Sequence, residues 1–199
     1  MVKARALLEL PQANAHPRTL GVFFRADEAF MDALAEKLSG LRVLEVFSGN
    51  GFLAANLARR GIEIKATSLR SGHDAHAEGF FFDVEECEAK EAVLRYGVEH
   101  DILLMCWPTV TEDAIRAVRL WTALCNAQGR PAPIAYVGEV TNYAKNHLGG
   151  CATDAFFDEV SPVLAIPGYR GNMLEQAFIG AHRDAMHAHA APVRSMPKI

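Results

Sequence analysis

The sequence predicts an α/β domain built on a mainly parallel sheet of about seven strands. Three observations favour this class. Short apolar runs alternate with helical patterns along the chain, a glycine turn joins the first such run to a helix, and 199 residues suffice for one sizeable domain. We expect that domain at 27–184, after an N-terminal extension at 1–26 and before a flexible tail at 185–199.

The first predicted element is a helix at 27–38. This segment places Phe30, Leu34 and Leu38 on one face at helical spacing. The pair Ser39-Gly40 follows directly, as expected for a helix C-terminus. The helix therefore leads into the sheet.

A βαβ unit is predicted next. Residues 42–47 form a short apolar run, and Gly49 and Gly51 allow a tight turn because glycine tolerates backbone conformations that other residues avoid. Helical spacing then covers 52–60, and alternation with β-branched residues predicts a second strand at 62–67.

The remaining elements continue the alternation. They are a short apolar strand at 80–83, a charged helix at 85–96 and a strand at 101–108. A helix capped by Thr111 then runs to Leu124 and is followed by a strand at 134–138, a helix from about 153, and weak strands at 163–166 and 176–181. The run at 101–108 is apolar almost throughout, which predicts a central strand buried on both faces.

Functional residue types lie at the carboxyl ends of several predicted strands. They are Glu45 with the turn at 48–51, Thr67-Ser68, Asp83, the segment 106–109, and Glu139. Ligands of such sheets bind outside the carboxyl ends of the strands, where the strand order reverses. The pattern therefore predicts a cofactor cleft.

The segment Glu45-Val-Phe-Ser-Gly-Asn-Gly51 resembles motif I of the class I S-adenosylmethionine-dependent methyltransferases. In that family an acidic residue near the strand end precedes glycines two apart, under the methionine and ribose of the cofactor. The resemblance implies a three-layer Rossmann-like methyltransferase fold with S-adenosylmethionine as cofactor. The implied cofactor contacts are Glu45, Phe47, Ser48, Gly49, Asn50, Gly51, Ser68, Asp83 and Cys106.

Three positions bear on this resemblance. Phe47 stands where a first glycine is common, and the second strand ends in Thr67-Ser68 instead of an acid for the ribose hydroxyls. Asp83 matches the family's acid after the third strand, which meets the adenine amino group. A helix N-cap is the alternative for Asp83.

The segment 101–109 resembles motif IV of the amino-methyltransferases but retains only Pro108. Methylation of adenine or glutamine amino groups is therefore not supported. Cys106 could be a nucleophile, although a buried structural thiol is favoured.

The predicted catalytic residues are Trp107 and Glu139. Glu139 could take a proton from the acceptor, or instead order the next loop. The indole of Trp107 could present a flat surface to a ligand, or it could serve only to pack against neighbouring side chains. Trp107, Pro108 and Tyr143 are the predicted substrate contacts, and Tyr143 lies in a glycine-hinged loop at 141–151 that we interpret as a lid.

The net charge and composition of the sequence limit the kinds of partner and cofactor that are expected. The net charge is −4 with a pI near 6.1, so a small-molecule or protein acceptor is favoured over nucleic acid. A leader and an apolar run of membrane-spanning length are both lacking, which predicts a soluble, cytoplasmic protein. The four cysteines form no metal motif, and we interpret His73, Asp74 and His76 as solvated surface, so no metal is predicted.

Two alternatives stay open. The first alternative is an NADP-dependent oxidoreductase of short-chain type. Gly49-x-Gly51-x-x-Ala54 also fits a loose dinucleotide fingerprint, and Arg70 is placed where it could meet a 2′-phosphate. Such enzymes need a tyrosine followed four residues later by lysine, and no tyrosine of this chain has one. A catalytically inactive methyltransferase-like binding protein is the other.

Overall fold

The structure, a computed structural model, describes residues 22–69 and 80–188. The helices are α1 (Glu28–Leu38), α2 (Phe52–Arg59), α3 (Ala89–Tyr96), α4 (Asp113–Ala127), α5 (Asp154–Glu159) and α6 (Arg183–Ala188). The strands are β1 (Arg42–Val46), β2 (Glu63–Ser68), β3 (Val84–Glu86), β4 (Ile102–Cys106), β5 (Pro133–Glu139), β6 (Val160–Ala165) and β7 (Glu175–His182).

The seven strands form one sheet in the order β3-β2-β1-β4-β5-β7-β6. β1 pairs in parallel with both β2 and β4, and β4 pairs in parallel with β5, whereas β7 is antiparallel to β5 and β6. The predicted seven-stranded, mainly parallel sheet is confirmed. The chain leaves β1 in one direction for β2 and β3 and later returns to its other side at β4, so the order reverses between β1 and β4.

Apolar side chains cover both faces of the sheet. Phe30, Leu34 and Leu57 from α1 and α2 are fully buried on one face, and Val118 and Trp121 from α4 are fully buried on the other. All five residues of β4 are buried, as the continuous apolar run predicts for a central strand. The result is three layers.

Polar side chains accept hydrogen bonds from backbone amides at the starts of α1 and α4. The Asp27 carboxylate accepts a hydrogen bond from the Phe30 amide at 2.7 Å and caps α1. The start of α4 lies two residues beyond the predicted cap: Glu112 holds the N-cap position, and the Thr111 hydroxyl accepts from the Asp113 amide at 3.4 Å.

The predicted third strand at 80–83 is wrong. β3 lies at Val84–Glu86, where it pairs in parallel with Ala66–Ser68. The apolar run before it packs instead over the start of α2, with the Phe81 ring 5.1 Å from that of Phe52 and the Phe81 amide donating to the Asn50 carbonyl at 2.9 Å.

This correction moves Asp83 as well. Asp83 is exposed and precedes β3, so it lies at the amino end of that strand and not at the carboxyl end expected for an adenine contact. A strand follows it, so it does not cap a helix either. Because residues 85 and 86 belong to β3, the charged helix predicted from 85 begins only at Ala89.

Arg70, the polar segment 71–79 and most of the tail and N-terminal extension lie outside the described residues. Within the described part of the chain, none of the helices combines the length and apolar character needed to cross a membrane.

Candidate functional site

A cavity opens at the carboxyl ends of β1 and β4, where the strand order reverses. It holds about 150 Å³ of space for the centres of water-sized molecules, roughly ten times what one water requires. The lining residues are Phe23, Phe24, Glu45, Phe47, Ser48, Gly49, Asn50, Phe52, Leu53, Ser68, Leu69, Cys87, Glu88, Ala89, Lys90, Cys106, Trp107, Thr109, Thr111 and Asp113. The cavity is therefore large enough for a small organic ligand.

The turn after β1 forms one wall of this cavity. The Ser48 amide donates to the Thr67 carbonyl at 3.0 Å, and the Gly51 amide donates to the Ser48 carbonyl at 2.9 Å. Gly49 has a φ of +56°, a region that glycine adopts without steric cost. These bonds fix the turn against β2 and keep the backbone of Gly49 at the cavity wall.

Glu45 is the most unusual polar residue of the site. Its side chain is fully buried, lines the cavity, and has no hydrogen-bond partner at either carboxylate oxygen. Burial raises the pKa of Glu45 to about 8, and Ser48 beside it offsets only part of that effect. A buried carboxylate without partners is costly unless it is protonated or a ligand satisfies it, so Glu45 makes this cavity the candidate binding site.

Two aromatic residues flank the cavity at the ends of adjacent strands. Phe47 follows β1 with a φ of +62°, and Trp107 follows β4 with a φ of +56°. Bulky side chains seldom adopt this left-handed region, and such strained positions cluster at functional sites. Both side chains also pack on the core, which holds the strained backbone in place.

Comparisons with known proteins give similar folds at low identity. A scan against protein-family models finds none that matches, and a search of curated proteins finds no similar sequence. A solved O-methyltransferase family protein from Burkholderia thailandensis is 16% identical over 76% of this chain and 55% of its own, with a TM-score of 0.47.

Two further solved structures are similar to this chain at a comparable level. The ribosomal protein L11 methylase from Lactobacillus delbrueckii subsp. bulgaricus is 10% identical over 80% of this chain and 81% of its own, with a TM-score of 0.47. Human N-acetylserotonin methyltransferase in complex with SAM is 10% identical over 77% of this chain and 51% of its own, with a TM-score of 0.45. The chain thus spans about half the length of the first and third of these proteins.

The sheet itself decides the fold class. Seven strands in the order β3-β2-β1-β4-β5-β7-β6, with only β7 antiparallel, lie between two layers of helices. The chain has a Rossmann-like methyltransferase fold.

Seven of the nine predicted cofactor residues line the cavity of this methyltransferase fold. They are Glu45, Phe47, Ser48, Gly49, Asn50, Ser68 and Cys106. Asp83 and Gly51 do not line it.

Gly51 is required by the packing of the protein itself. The resemblance to motif I instead implied a cofactor contact at this residue. It holds the N-cap position of α2 with a φ of +77°, and an added Cβ would lie 2.7 Å from Val84 Cγ2 and 2.8 Å from Phe82 Cβ. The steric demand for glycine there comes from the protein's own chain.

The hydroxyls at the end of β2 are used within the protein. The Thr67 hydroxyl donates to the Glu45 carbonyl at 3.1 Å, and the Ser68 hydroxyl accepts from the Gly49 amide at 3.3 Å. In the methyltransferase family the end of the second strand carries the ribose-binding acid. In this protein the end of β2 instead stabilises the glycine turn through hydrogen bonds.

Sequence reasoning missed the cavity wall at the start of α3. With β3 at Val84–Glu86, the residues beyond its carboxyl end are Cys87, Glu88 and Lys90, and all three line the cavity. Glu88 is exposed and occupies the N-cap position of α3 without a capping side-chain bond. The acid after the third strand is therefore Glu88.

Phe23 and Phe24 were also missed. The Phe24 ring is buried and packs 6.2 Å from the Phe52 ring and 6.4 Å from the Phe30 ring. Both residues lie in the segment assigned to an N-terminal extension, whose irregular pattern carried no signal for packing. The end of that segment closes one side of the cavity.

Cys106 lines the cavity as a thiol. It is buried, and burial raises its pKa well above the ordinary value, an effect that nearby Glu45 reinforces. Because the thiolate is the nucleophilic form, this environment favours the structural interpretation. Cys87, Cys125 and Cys151 are likewise free and buried.

The remaining substrate and catalytic candidates lie apart from the cavity lining. Pro108 is buried. Tyr143 is 64% exposed, and its hydroxyl donates to Asp154 Oδ2 at 2.5 Å. Glu139 ends β5 as predicted, and its Oε2 accepts from the Gly150 amide at 2.7 Å. That bond is the contact expected of an acid that orders the next loop, and proton transfer by Glu139 stays a prediction.

Among the described residues no group of three or more histidine, cysteine or acidic side chains is arranged to hold a metal ion. His73, Asp74 and His76 fall outside them.

Proposed function

We propose that the cavity binds S-adenosylmethionine and that the protein transfers its methyl group to a small molecule or a protein side chain. The observation that carries this proposal is the buried carboxylate of Glu45, without a partner, beside a glycine turn at the point where the strand order reverses. An ammonium group can donate the hydrogen bonds that both oxygens lack.

The chain's residues fit the parts of this cofactor. Glu45 would accept from the amino group, and the backbone at Ser48 and Gly49 would lie along the methionine portion. Glu88, after β3, takes the position that the resemblance assigned to Asp83, so we propose it as the acid that meets the adenosine portion. When bound, S-adenosylmethionine supplies an electrophilic methyl group on a sulfonium.

The protein's part in such a reaction is to orient the acceptor and exclude water. Phe24, Phe47 and Trp107 give the cavity apolar walls, which limit water around the reacting atoms. An acceptor held in line with the methyl group reacts without covalent help from the enzyme, because positioning supplies much of the rate enhancement. Trp107 lines the cavity, and its amide donates to the Val137 carbonyl of β5 at 2.7 Å, so it is the proposed acceptor contact.

An acceptor hydroxyl must lose a proton as the methyl group is transferred, and an acceptor ammonium must lose one beforehand to become a nucleophile. We propose Glu139 for this step, because it ends β5 beside β4 and keeps one carboxylate oxygen outside the Gly150 bond. Glu139→Gln would preserve the shape and the bond from Gly150 while removing the base. It should therefore bind S-adenosylhomocysteine as tightly as the parent protein and transfer methyl groups far more slowly.

The proposed class of methyl acceptor is inferred from the net charge of the chain. A net charge of −4 disfavours a broad basic surface for nucleic acid, so we propose a small-molecule or protein acceptor. We also propose, separately from the charge argument, that the protein acts in the cytoplasm.

The test is transfer of label from S-adenosyl-[methyl-³H]methionine into acceptors separated into small-molecule and protein fractions. We expect label in one of these fractions with the parent protein and at least tenfold less with Glu45→Gln. If S-adenosylhomocysteine binds but no fraction is labelled, the inactive binding protein becomes the better description.

A further inference from the structure

The surroundings of Glu45 determine the charge state of its carboxyl group. Glu45 lies on β1, between β2 and β4 in the sheet; its side chain is fully buried, and both of its oxygens lack hydrogen-bond partners. An ionised carboxylate in such a position is costly, whereas a protonated one is tolerated.

The neighbouring groups do not supply a compensating charge. The turn and β2 offer the hydroxyls of Ser48 and Thr67, both of which donate to the Glu45 backbone carbonyl at 3.3 and 3.1 Å. α2 and the segment before α1 present apolar Phe24, Phe52 and Leu53. The titratable and charged side chains that line the same cavity are Cys106 of β4, Cys87, Glu88 and Lys90 around the start of α3, and Asp113 of α4.

Of the cavity-lining residues that the structure describes, Lys90 is the one cation, and it is exposed. Burial is the main cause of the raised pKa of Glu45, about 8, and no charged neighbour contributes to it. A pKa of about 8 would keep the carboxyl mostly protonated at pH 6.5 in the ligand-free protein.

We propose that binding of an amine-bearing ligand at Glu45 releases a proton to solvent, so that ligand affinity depends on pH. In the free protein the carboxyl keeps its proton. When a ligand ammonium occupies the cavity, the O–H bond breaks, the proton passes to the buffer, and the carboxylate pairs with the ammonium. This inference rests on the proposed function, because the amino acid portion of S-adenosylmethionine supplies the amine.

The expected stoichiometry follows from the two pKa values. At pH 6.5 a carboxyl of pKa about 8 and a ligand α-amino group of pKa about 7.7–8.0 are both almost fully protonated, so binding should release roughly 0.9 protons. Affinity should then rise about tenfold per pH unit between pH 6 and 7.

The experiment is calorimetric titration of the full chain with S-adenosylhomocysteine at pH 6.5, in two buffers of different ionisation enthalpy. The difference in apparent binding enthalpy gives the number of protons released. Glu45→Gln should abolish proton release and weaken binding at least tenfold. Glu63→Gln makes the same chemical change at an exposed position at the start of β2 and should leave proton release unchanged.

The outcomes separate this inference from the proposed function. Binding without proton release overturns the inference alone. Absence of any binding heat overturns the inference and the proposed function together. A ¹³C carboxyl spectrum that shows Glu45 ionised at pH 6.5 before ligand is added also overturns the inference, whatever the ligand does afterwards.

Discussion

Phe47 and Trp107 adopt the same left-handed backbone conformation at the ends of two paired strands, with φ values of +62° and +56°. Glycine would hold either conformation without steric cost, yet both positions carry large aromatic residues that line the cavity. Strain of this kind, roughly 1–3 kcal/mol per residue, persists only where the surrounding structure enforces it. The two strained residues are thus part of how the cavity is built.

Replacing Phe47 by glycine and by alanine tests this strain directly. Both variants lose the aromatic side chain, but only alanine keeps the left-handed penalty. We therefore expect the glycine variant to be more stable than the alanine variant by roughly 1 kcal/mol in urea unfolding, because relief of the left-handed penalty exceeds the entropic cost of glycine. At buried Val43, whose φ is ordinary, the same pair should show the opposite order, since glycine in a strand costs ~0.5–1 kcal/mol relative to alanine. The same order at both positions would contradict the account.

Gly51 and Gly40 form a matched pair for the fold. Both have a φ of +77°, but an added Cβ meets Val84 and Phe82 at Gly51 and nothing within 4 Å at Gly40. Gly40→Ala should cost about 1–2 kcal/mol from the backbone alone. Gly51→Ala should cost a further 1–3 kcal/mol, roughly, because the core beside it cannot absorb a methyl group without strain. Equal losses in the free energy of unfolding would show that the contacts with β3 yield easily.

Stability should depend on pH through Glu45. Its folded pKa, about 8, exceeds the ordinary value of 4.5, so the folded state holds a proton that the unfolded chain releases. This contribution is fully present below pH 4.5 and is lost as pH rises towards 8. Glu45→Gln removes this contribution. The free energy of unfolding of the variant, relative to that of the parent, should therefore rise by up to ~1.4 kcal/mol per pH unit between pH 5 and 8 and stay constant above pH 8. Parallel stability curves for the two proteins would count against a protonated Glu45.

The revised position of β3 makes a prediction about two acids. Glu88→Ala should weaken S-adenosylhomocysteine binding by roughly 1.5–3 kcal/mol, as expected for loss of a hydrogen bond to a charged group. Asp83→Ala, at the other end of β3, should leave the affinity unchanged. The reverse result, measured by calorimetry on both variants, would restore the first assignment and contradict the placement of β3 at the cavity.

The fold was largely predictable because its signals are local. The apolar runs before Gly49 and at 102–106 bury in the sheet as their patterns indicate, and the glycine turn lies where the order reverses. β3 was misplaced because Phe80–Phe82 are more apolar than Val84–Glu86, yet packing over α2 outweighs strand propensity there. The contribution of Phe23 and Phe24 to the cavity depends on long-range packing, which no local pattern encodes.

We propose that the cavity between the ends of β1 and β4 binds an adenosyl cofactor through Glu45. The most direct measurement is a calorimetric titration of the protein with S-adenosylhomocysteine, repeated with NADPH and with Glu45→Gln. We expect one S-adenosylhomocysteine per chain, at least tenfold weaker binding by the variant, and no heat from NADPH. Binding of NADPH without S-adenosylhomocysteine, or equal affinity of the parent and Glu45→Gln for S-adenosylhomocysteine, would contradict it.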